Sequence, residues 1–334
     1  MAIELFPAKI SLMTTPPVYD SVLDLIGNTP VLELAKIRQR FSLEGRMLAK
    51  LEHNNPGGSK KDRVALAMIR AAAASGRLTP GQPVVEVTSG NTGTGLAVVC
   101  RALGYPFYAI MSAGNSRERA QMMRALGAEV ILVEQAPGAT PGKMSGADIK
   151  LVRDRAARLI QELGAFFCDQ FENPANAAAH IDGTAVELWE QSGGKLDAIV
   201  AFVGSGGALG GMAKYLRSKQ PNLRVYAVEP ASSTSLASCC CSDAAHGIQG
   251  GGYGKATLSL MAGIEVTDHL ACTDDHAAAG ARLLALEEGI LAGYSTGAQL
   301  HCAIELMRER ERGSTVAFLI CDSGMKYLST GLYP

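Results

Sequence analysis

The chain has 334 residues, with 31 Lys and Arg against 32 Asp and Glu and a formal net charge of -1. At this length a fold buries roughly 75% of its unfolded surface, so no disulfide or metal staple is needed for stability. The balanced charge, with no basic run or interleaved aromatic stripe, speaks against nucleic acid as the main partner.

The opening MAIELFPAKISLM lacks the basic-then-apolar pattern of a secretory signal. Further on, a strand-like LAKLE (Leu48–Glu52) leads through NNPGGSKKDR (Asn54–Arg63) into a predicted helix over Asp62–Ser75. Proline and two glycines make a turn there, and Lys60 and Lys61 open the helix. A lone lysine is ordinarily a solvated surface charge. Of two adjacent lysines, one can face water and the other reach into a cleft, where a lowered pKa makes the amine a nucleophile.

PVVEV (Pro83–Val87) reads as a buried strand and runs into EVTSGNTGTG (Glu86–Gly95), which opens a helix over Thr94–Leu103. The unpaired first-turn N–H groups, with the Thr88, Ser89 and Thr92 hydroxyls, suit a carboxylate. An ordinary capped glycine turn fits the segment equally well. PFYAIM (Pro106–Met111) is the next strand, followed by helices over Ser116–Leu126, Ala147–Leu163 and Asn176–Gln191, with GATPGKMSG (Gly138–Gly146) as a flexible stretch.

DAIVAFV (Asp197–Val203) is a strand that enters VGSGGALGG (Val203–Gly211) and a helix over Leu209–Lys219. Converging backbone N–H groups and a helix dipole make this a phosphate cradle. The same letters fit G-x-G-x-x-G, but the segment is not in a first βαβ unit and its acidic partner is only loosely placed at Glu229, so a single-phosphate cofactor fits better than a dinucleotide. The longest uncharged run, Ala198–Ala213, is Gly-rich and shorter than the ~20 apolar residues that span a bilayer.

RVYAVE (Arg224–Glu229) is another strand. Ser232–Gly254 then forms a loop long enough to point to function. It holds Cys239, Cys240 and Cys241, whose consecutive placement suits a thiol-rich loop and not a metal site; the eight cysteines are expected to be reduced. A helix over Asp275–Glu288 precedes EEGILAGYSTGAQL (Glu287–Leu300), where Ser295 is either a helix cap or a neutral hydroxyl aimed at a heteroaromatic nitrogen. TVAFLI (Thr315–Ile320) closes the series of strands. The alternation predicts an α/β fold with mostly parallel strands covered on both faces.

In this order and spacing the segments resemble the cysteine synthase and cystathionine β-synthase family of fold-type II pyridoxal 5'-phosphate enzymes, from Ser21 in SVLDLIGNTPVLEL to Tyr333. The resemblance implies a two-lobed fold like that of the tryptophan synthase β-subunit, with mostly parallel sheets and helices on both faces. A smaller mobile lobe is expected over residues 50–165, carrying the substrate-carboxylate loop, and a larger cofactor-binding lobe over 20–49 and 166–334.

Position by position, Lys61 stands at the family's Schiff-base lysine, with Lys60 at a place usually apolar. Asn91 matches the residue that hydrogen-bonds the pyridoxal 3'-oxygen. Thr88, Ser89 and Thr92 match the substrate-carboxylate loop, and Gln170 in DQFENPAN looks like a further carboxylate contact. Gly204, Ser205, Gly206, Gly207 and Ala208 match the phosphate loop, with Ala208 where threonine is usual. Ser295 matches the serine facing the pyridine nitrogen. Lys255 replaces an aromatic near the active-site mouth, and SAGNSRER (Ser112–Arg119) replaces a P-E-T-M-S-type stretch; both bear on the choice of nucleophile.

The resemblance implies β-replacement on a serine-derived amino acid, with O-acetylserine plus sulfide giving cysteine as the base reading. A specialised β-substituted alanine synthase and a lyase or dehydratase are the alternatives within the fold. A catalytically idle binding protein is the alternative from another class, against which Lys61, Asn91 and Ser295 stand intact. With no haem segment or regulatory module, an animal-type cystathionine synthase is not expected. A cytoplasmic homodimer acting on small molecules, with no membrane or nucleic-acid partner, completes the expectation.

Overall fold

Runs of small and β-branched apolar residues pair into two separate sheets in this computed structural model, which describes residues 18–334 except Ser89, Ser116, 139–145 and 240–245. In chain order the first half forms β1 (Val31–Glu33), α1 (Ala35–Arg40), β2 (Arg46–Lys50), α2 (Lys61–Ala74), β3 (Val84–Val87), α3 (Asn91–Leu103), β4 (Phe107–Ser112), α4 (Arg117–Ala125), β5 (Glu129–Val133), α5 (Gly146–Leu163) and β6 (Phe166–Phe167). The second half adds α6 (Pro174–Ala179), α7 (Ala185–Gln191), β7 (Ala198–Phe202), α8 (Gly207–Lys219), β8 (Arg224–Pro230), α9 (Ser235–Ser238), β9 (Asp268–Cys272), α10 (Asp274–Glu288), α11 (Tyr294–Glu309) and β10 (Thr315–Leu319).

One sheet has six strands in the order β1-β2-β10-β7-β8-β9 and the other four in the order β5-β4-β3-β6. Every pairing is parallel except that of the edge strand β1 with β2. Alternate residues along each strand feed opposite cores. In the larger sheet Val200, Phe202 and Val228 pack with α10 and α11, whereas Ile199, Ala201 and Val225 pack with α7 and α8. In the smaller sheet Val84 and Ala109 face α2, α3 and α4, and Val85 and Ile110 face α5. The α/β class with helices on both faces is the observed architecture. The smaller sheet extends to Phe166–Phe167, which pairs with Val84–Val85 just past residue 165.

Some elements differ from the sequence expectation for definite reasons. β1, β6 and β9 are short or partly exposed and carry no continuous apolar signal. The helix expected over Asn176–Gln191 is interrupted by a π-turn at His180–Thr184, a feature common near functional sites. A buried ion network fixes the start of α2: Arg63 pairs with Glu52 at 2.8 Å and Glu187 at 2.6 Å, and Lys50 pairs with Glu187 at 2.6 Å. Removing one member of such a buried set leaves an uncompensated charge, a cost of about 3–5 kcal/mol. Among the described residues no helix is long and apolar enough to cross a membrane.

Candidate active site

The C-terminal ends of parallel strands are where α/β sheets bind ligands, and the predicted residues follow those ends. β2 leads to Lys61, β3 to Asn91 and Thr92, β6 to Gln170, and β7 to the turn at Gly204–Ala208. Lys61, Asn91, Thr92, Gln170, Ser205 and Ser295 line a single cleft. An adjoining recess is lined by Gly204, Ser205, Gly206 and Ala208, with Lys60 and Lys61 shared between the two spaces.

Lys61 is the first residue of α2, and its Nζ donates to Gln170 Oε1 at 3.2 Å. Burial lowers its pKa to about 7, and the neighbouring Lys60 charge pushes the same way, partly offset by Glu86. Gln170 also accepts from Thr92 Oγ1 at 2.6 Å and donates through Nε2 to Val87 O at 3.2 Å. Its oxygen therefore faces the lysine, and a carboxylate contact from this residue requires the amide to turn over. Glu86 is buried below the cleft and raised to about 8, first by burial and then by Asp169.

Asn91 opens α3, and both ends of its amide are held. Its Nδ2 donates to Asp322 Oδ2 at 2.7 Å, and its Oδ1 accepts from Lys326 Nζ at 2.9 Å. Tyr327 OH also donates to Asp322 Oδ2, at 2.6 Å. Asp322 and Lys326 are buried, and burial lowers the Lys326 pKa to about 8. The sequence gives no sign of this clamp, because both residues lie in a short polar segment after β10. Thr88 Oγ1 accepts from Gly90 N at 3.0 Å and Gly93 N at 2.9 Å, so its hydroxyl shapes the loop from inside. Ser89 lies outside the described residues. Ser295 is buried in the first turn of α11 and lines the cleft.

The glycine turn is shaped by close approach. Gly206 caps α8 at φ +86, and a Cβ on Gly207 would stand 2.2 Å from Asn176 Oδ1. Asn176 Nδ2 in turn donates to Ser205 Oγ at 2.9 Å and to Gln170 O at 2.6 Å. This residue was missed in the sequence, although it stands in the same N-P-A-N run that follows Gln170. His180, from the π-turn, lines the recess and is held neutral by burial. The Gln249–Gly252 segment returns to the turn, with Gly252 N donating to Val203 O at 3.1 Å, and brings Gln249 and Tyr253 into the cleft.

Other sequence candidates lie apart from this constellation. Lys255 Nζ is 3.8 Å from Glu172 Oε1 and 4.9 Å from the centre of the Phe171 ring. Glu229, the residue on which a dinucleotide reading depended, accepts from Leu236 N and Ala237 N. Cys239 is exposed, Cys240 and Cys241 fall outside the described residues, and no metal-binding cluster occurs among those described.

The pattern of the family described as "Pyridoxal-phosphate dependent enzyme" matches residues 22–322. The chain belongs to that family. It is 42% identical over 325 residues to a cysteine synthase of Staphylococcus aureus, covering 96% of this chain and 99% of the relative. Among solved structures it is similar to isoform 3 of O-acetylserine sulfhydrylase from Entamoeba histolytica, with a TM-score of 0.86, 35% identity and coverage of 96% and 94%. An O-ureido-L-serine synthase gives a TM-score of 0.83 at 35% identity, covering 95% of each chain. The fold is thus that of the fold-type II pyridoxal 5'-phosphate enzymes, and the cofactor is pyridoxal 5'-phosphate. The residues present fit the group: a lysine with a lowered pKa faces a glycine recess, and the first turn of α8, which lines that recess, has no side-chain cap on its N–H groups.

Proposed function

We propose that the chain replaces the β-substituent of a serine-derived amino acid, converting O-acetylserine and sulfide to cysteine. The observation that carries this reading is Lys61, an amine lowered to about 7 and set between the carboxylate-type loop of α3 and the glycine turn of α8. Likeness to the Staphylococcus aureus cysteine synthase and the Entamoeba histolytica O-acetylserine sulfhydrylase supports the substrate pair.

The cofactor supplies an aldehyde for the amino group and a ring that accepts charge from the α-carbon. Lys61 would hold the aldehyde at rest and then serve as the base that takes the α-proton at Nζ. Thr92 and the first-turn N–H groups of α3 would receive the substrate carboxylate. Asn91, fixed by Asp322 and Lys326, would present its remaining amide hydrogen to the ring oxygen. Ser295 would offer the ring nitrogen a neutral hydroxyl, which leaves the ring a weak acceptor and favours prompt loss of the β-group. Gly204, Ser205, Gly206, Gly207 and Ala208 would enclose the phosphate.

The division into a smaller moving lobe and a larger lobe, a homodimer and a cytoplasmic location are parts of the same proposal. Buried free thiols at Cys100, Cys168, Cys272 and Cys321 support a reducing compartment. Exposed Val18, Tyr19, Val22 and Leu25 support a covered surface near the start of the described chain. The test of the substrate class is a donor and nucleophile panel. O-acetylserine should turn over faster than O-phosphoserine or serine, and sulfide should outrun bulkier nucleophiles. Preference for a bulkier nucleophile would move the assignment to a β-substituted alanine synthase.

A further inference from the structure

We propose that Lys60 is the cationic element of the phosphate subsite, supplying beside the glycine turn the contact that Ala208, with no hydroxyl, does not make. The proposal rests on the reading of Gly204–Ala208 as the phosphate holder and adds a residue to it. Lys60 stands at the N-terminal boundary of α2, and its backbone N donates to Cys321 O at 2.9 Å, which fixes its position against the strand end. It is half-buried and lines both the reactive cleft and the glycine recess.

The charge of Lys60 is felt by two groups there: it helps lower the pKa of Lys61 and that of His180, after burial in each case. Among the described residues no carboxylate pairs with Lys60. Two neighbouring lysines with no paired carboxylate, and only Glu86, itself raised to about 8, as a partial offset, are costly in a recess of reduced dielectric. The N-terminus of α8, with no side-chain cap at Gly206, adds positive potential on the same side. His180 is neutral, and Lys61 must lose its proton to act as a nucleophile. Lys60 therefore remains as the side-chain charge that balances a phosphate dianion, and that dianion in turn offsets the push of Lys60 on Lys61.

The test compares apoenzyme affinity for pyridoxal 5'-phosphate and for pyridoxal, which has the same aldehyde and no phosphate, by equilibrium fluorescence titration. Wild type, Lys60→Met, Lys60→Gln and Lys60→Arg are titrated, and melting of each apoenzyme checks that it is folded. Wild type should prefer the phosphorylated ligand. Lys60→Met and Lys60→Gln should weaken that ligand about 10- to 100-fold more than pyridoxal, equal to about 1.4–2.8 kcal/mol, the smaller change in pyridoxal reporting the lost push of Lys60 on Lys61. Lys60→Arg should keep most of the preference. Equal weakening of both ligands in the neutral variants, or no weakening of either, would overturn the role of Lys60. A wild type that does not discriminate between the ligands would instead overturn the phosphate reading of the glycine turn, and with it this proposal.

Discussion

A lysine amine is a nucleophile only when neutral, and burial brings Lys61 to about 7 from an ordinary 10.5. Borohydride reduction of the holoenzyme, followed by peptide mass mapping, should place the cofactor on Lys61; a label on Lys60 would contradict the assignment. Between about 7 and 10.5 the unfolded chain holds more protons at this site, so the Lys61 contribution to stability rises with pH, its full penalty being present below about 7. Urea unfolding of apoenzyme should show wild type gaining on Lys61→Met as pH rises through that window; a constant difference would refute the shift. Ser295→Ala should retain cofactor and slow loss of the β-group about 2- to 10-fold, the worth of one net hydrogen bond. An unchanged rate in single-turnover mixing would remove Ser295 from the mechanism. For Lys255, held by Phe171 and the exposed Glu172, the pair contributes about 0–1 kcal/mol. Lys255→Phe should then act alike across nucleophiles, and selective loss of an anionic one would reinstate it as a specificity residue.

At the scale of elements, helix contacts depend on glycines that the sequence marks only as small. A Cβ on Gly280 of α10 would stand 2.2 Å from Gly297 O of α11. Gly280→Ala should therefore destabilise the fold by about 1–3 kcal/mol, read as a lower urea midpoint; an unshifted midpoint would mean the helices separate freely. The strands β3, β4, β7, β8 and β10 were legible because buried parallel strands read as continuous apolar runs, and α3, α4 and α8 were legible after the first three, whereas the short α9 lies in a stretch that reads as a loop. The turns before Lys61 and Ser295 marked both as candidates, while their proposed roles came only with the family resemblance. Asn176, Asp322 and Lys326 were not legible, since each acts through a partner distant in sequence, and His180 was not because it reaches the recess through a π-turn that periodicity does not flag. The Lys255 position was visible as a departure, but its side-chain direction depends on Phe171 and Glu172, which lie on another loop.

Across the whole molecule, the parallel strands of two sheets direct their C-terminal ends to one cleft, so residues that follow β2, β3, β6, β7 and β10 meet although the chain separates them widely. The Asn91 amide, joined to Asp322 and Lys326, ties the loop after β3 in the smaller sheet to the segment after β10 in the larger one. This arrangement accounts for a site that captures an amino acid, removes its α-proton and admits a second small reactant. The most direct test mixes holoenzyme with O-acetylserine and sulfide and follows acetate, cysteine and pyruvate together. One cysteine should form for each acetate released, with negligible pyruvate, and this turnover should be lost in Lys61→Ala. Acetate released with pyruvate in place of cysteine, or no acetate at all, would contradict the proposed reaction.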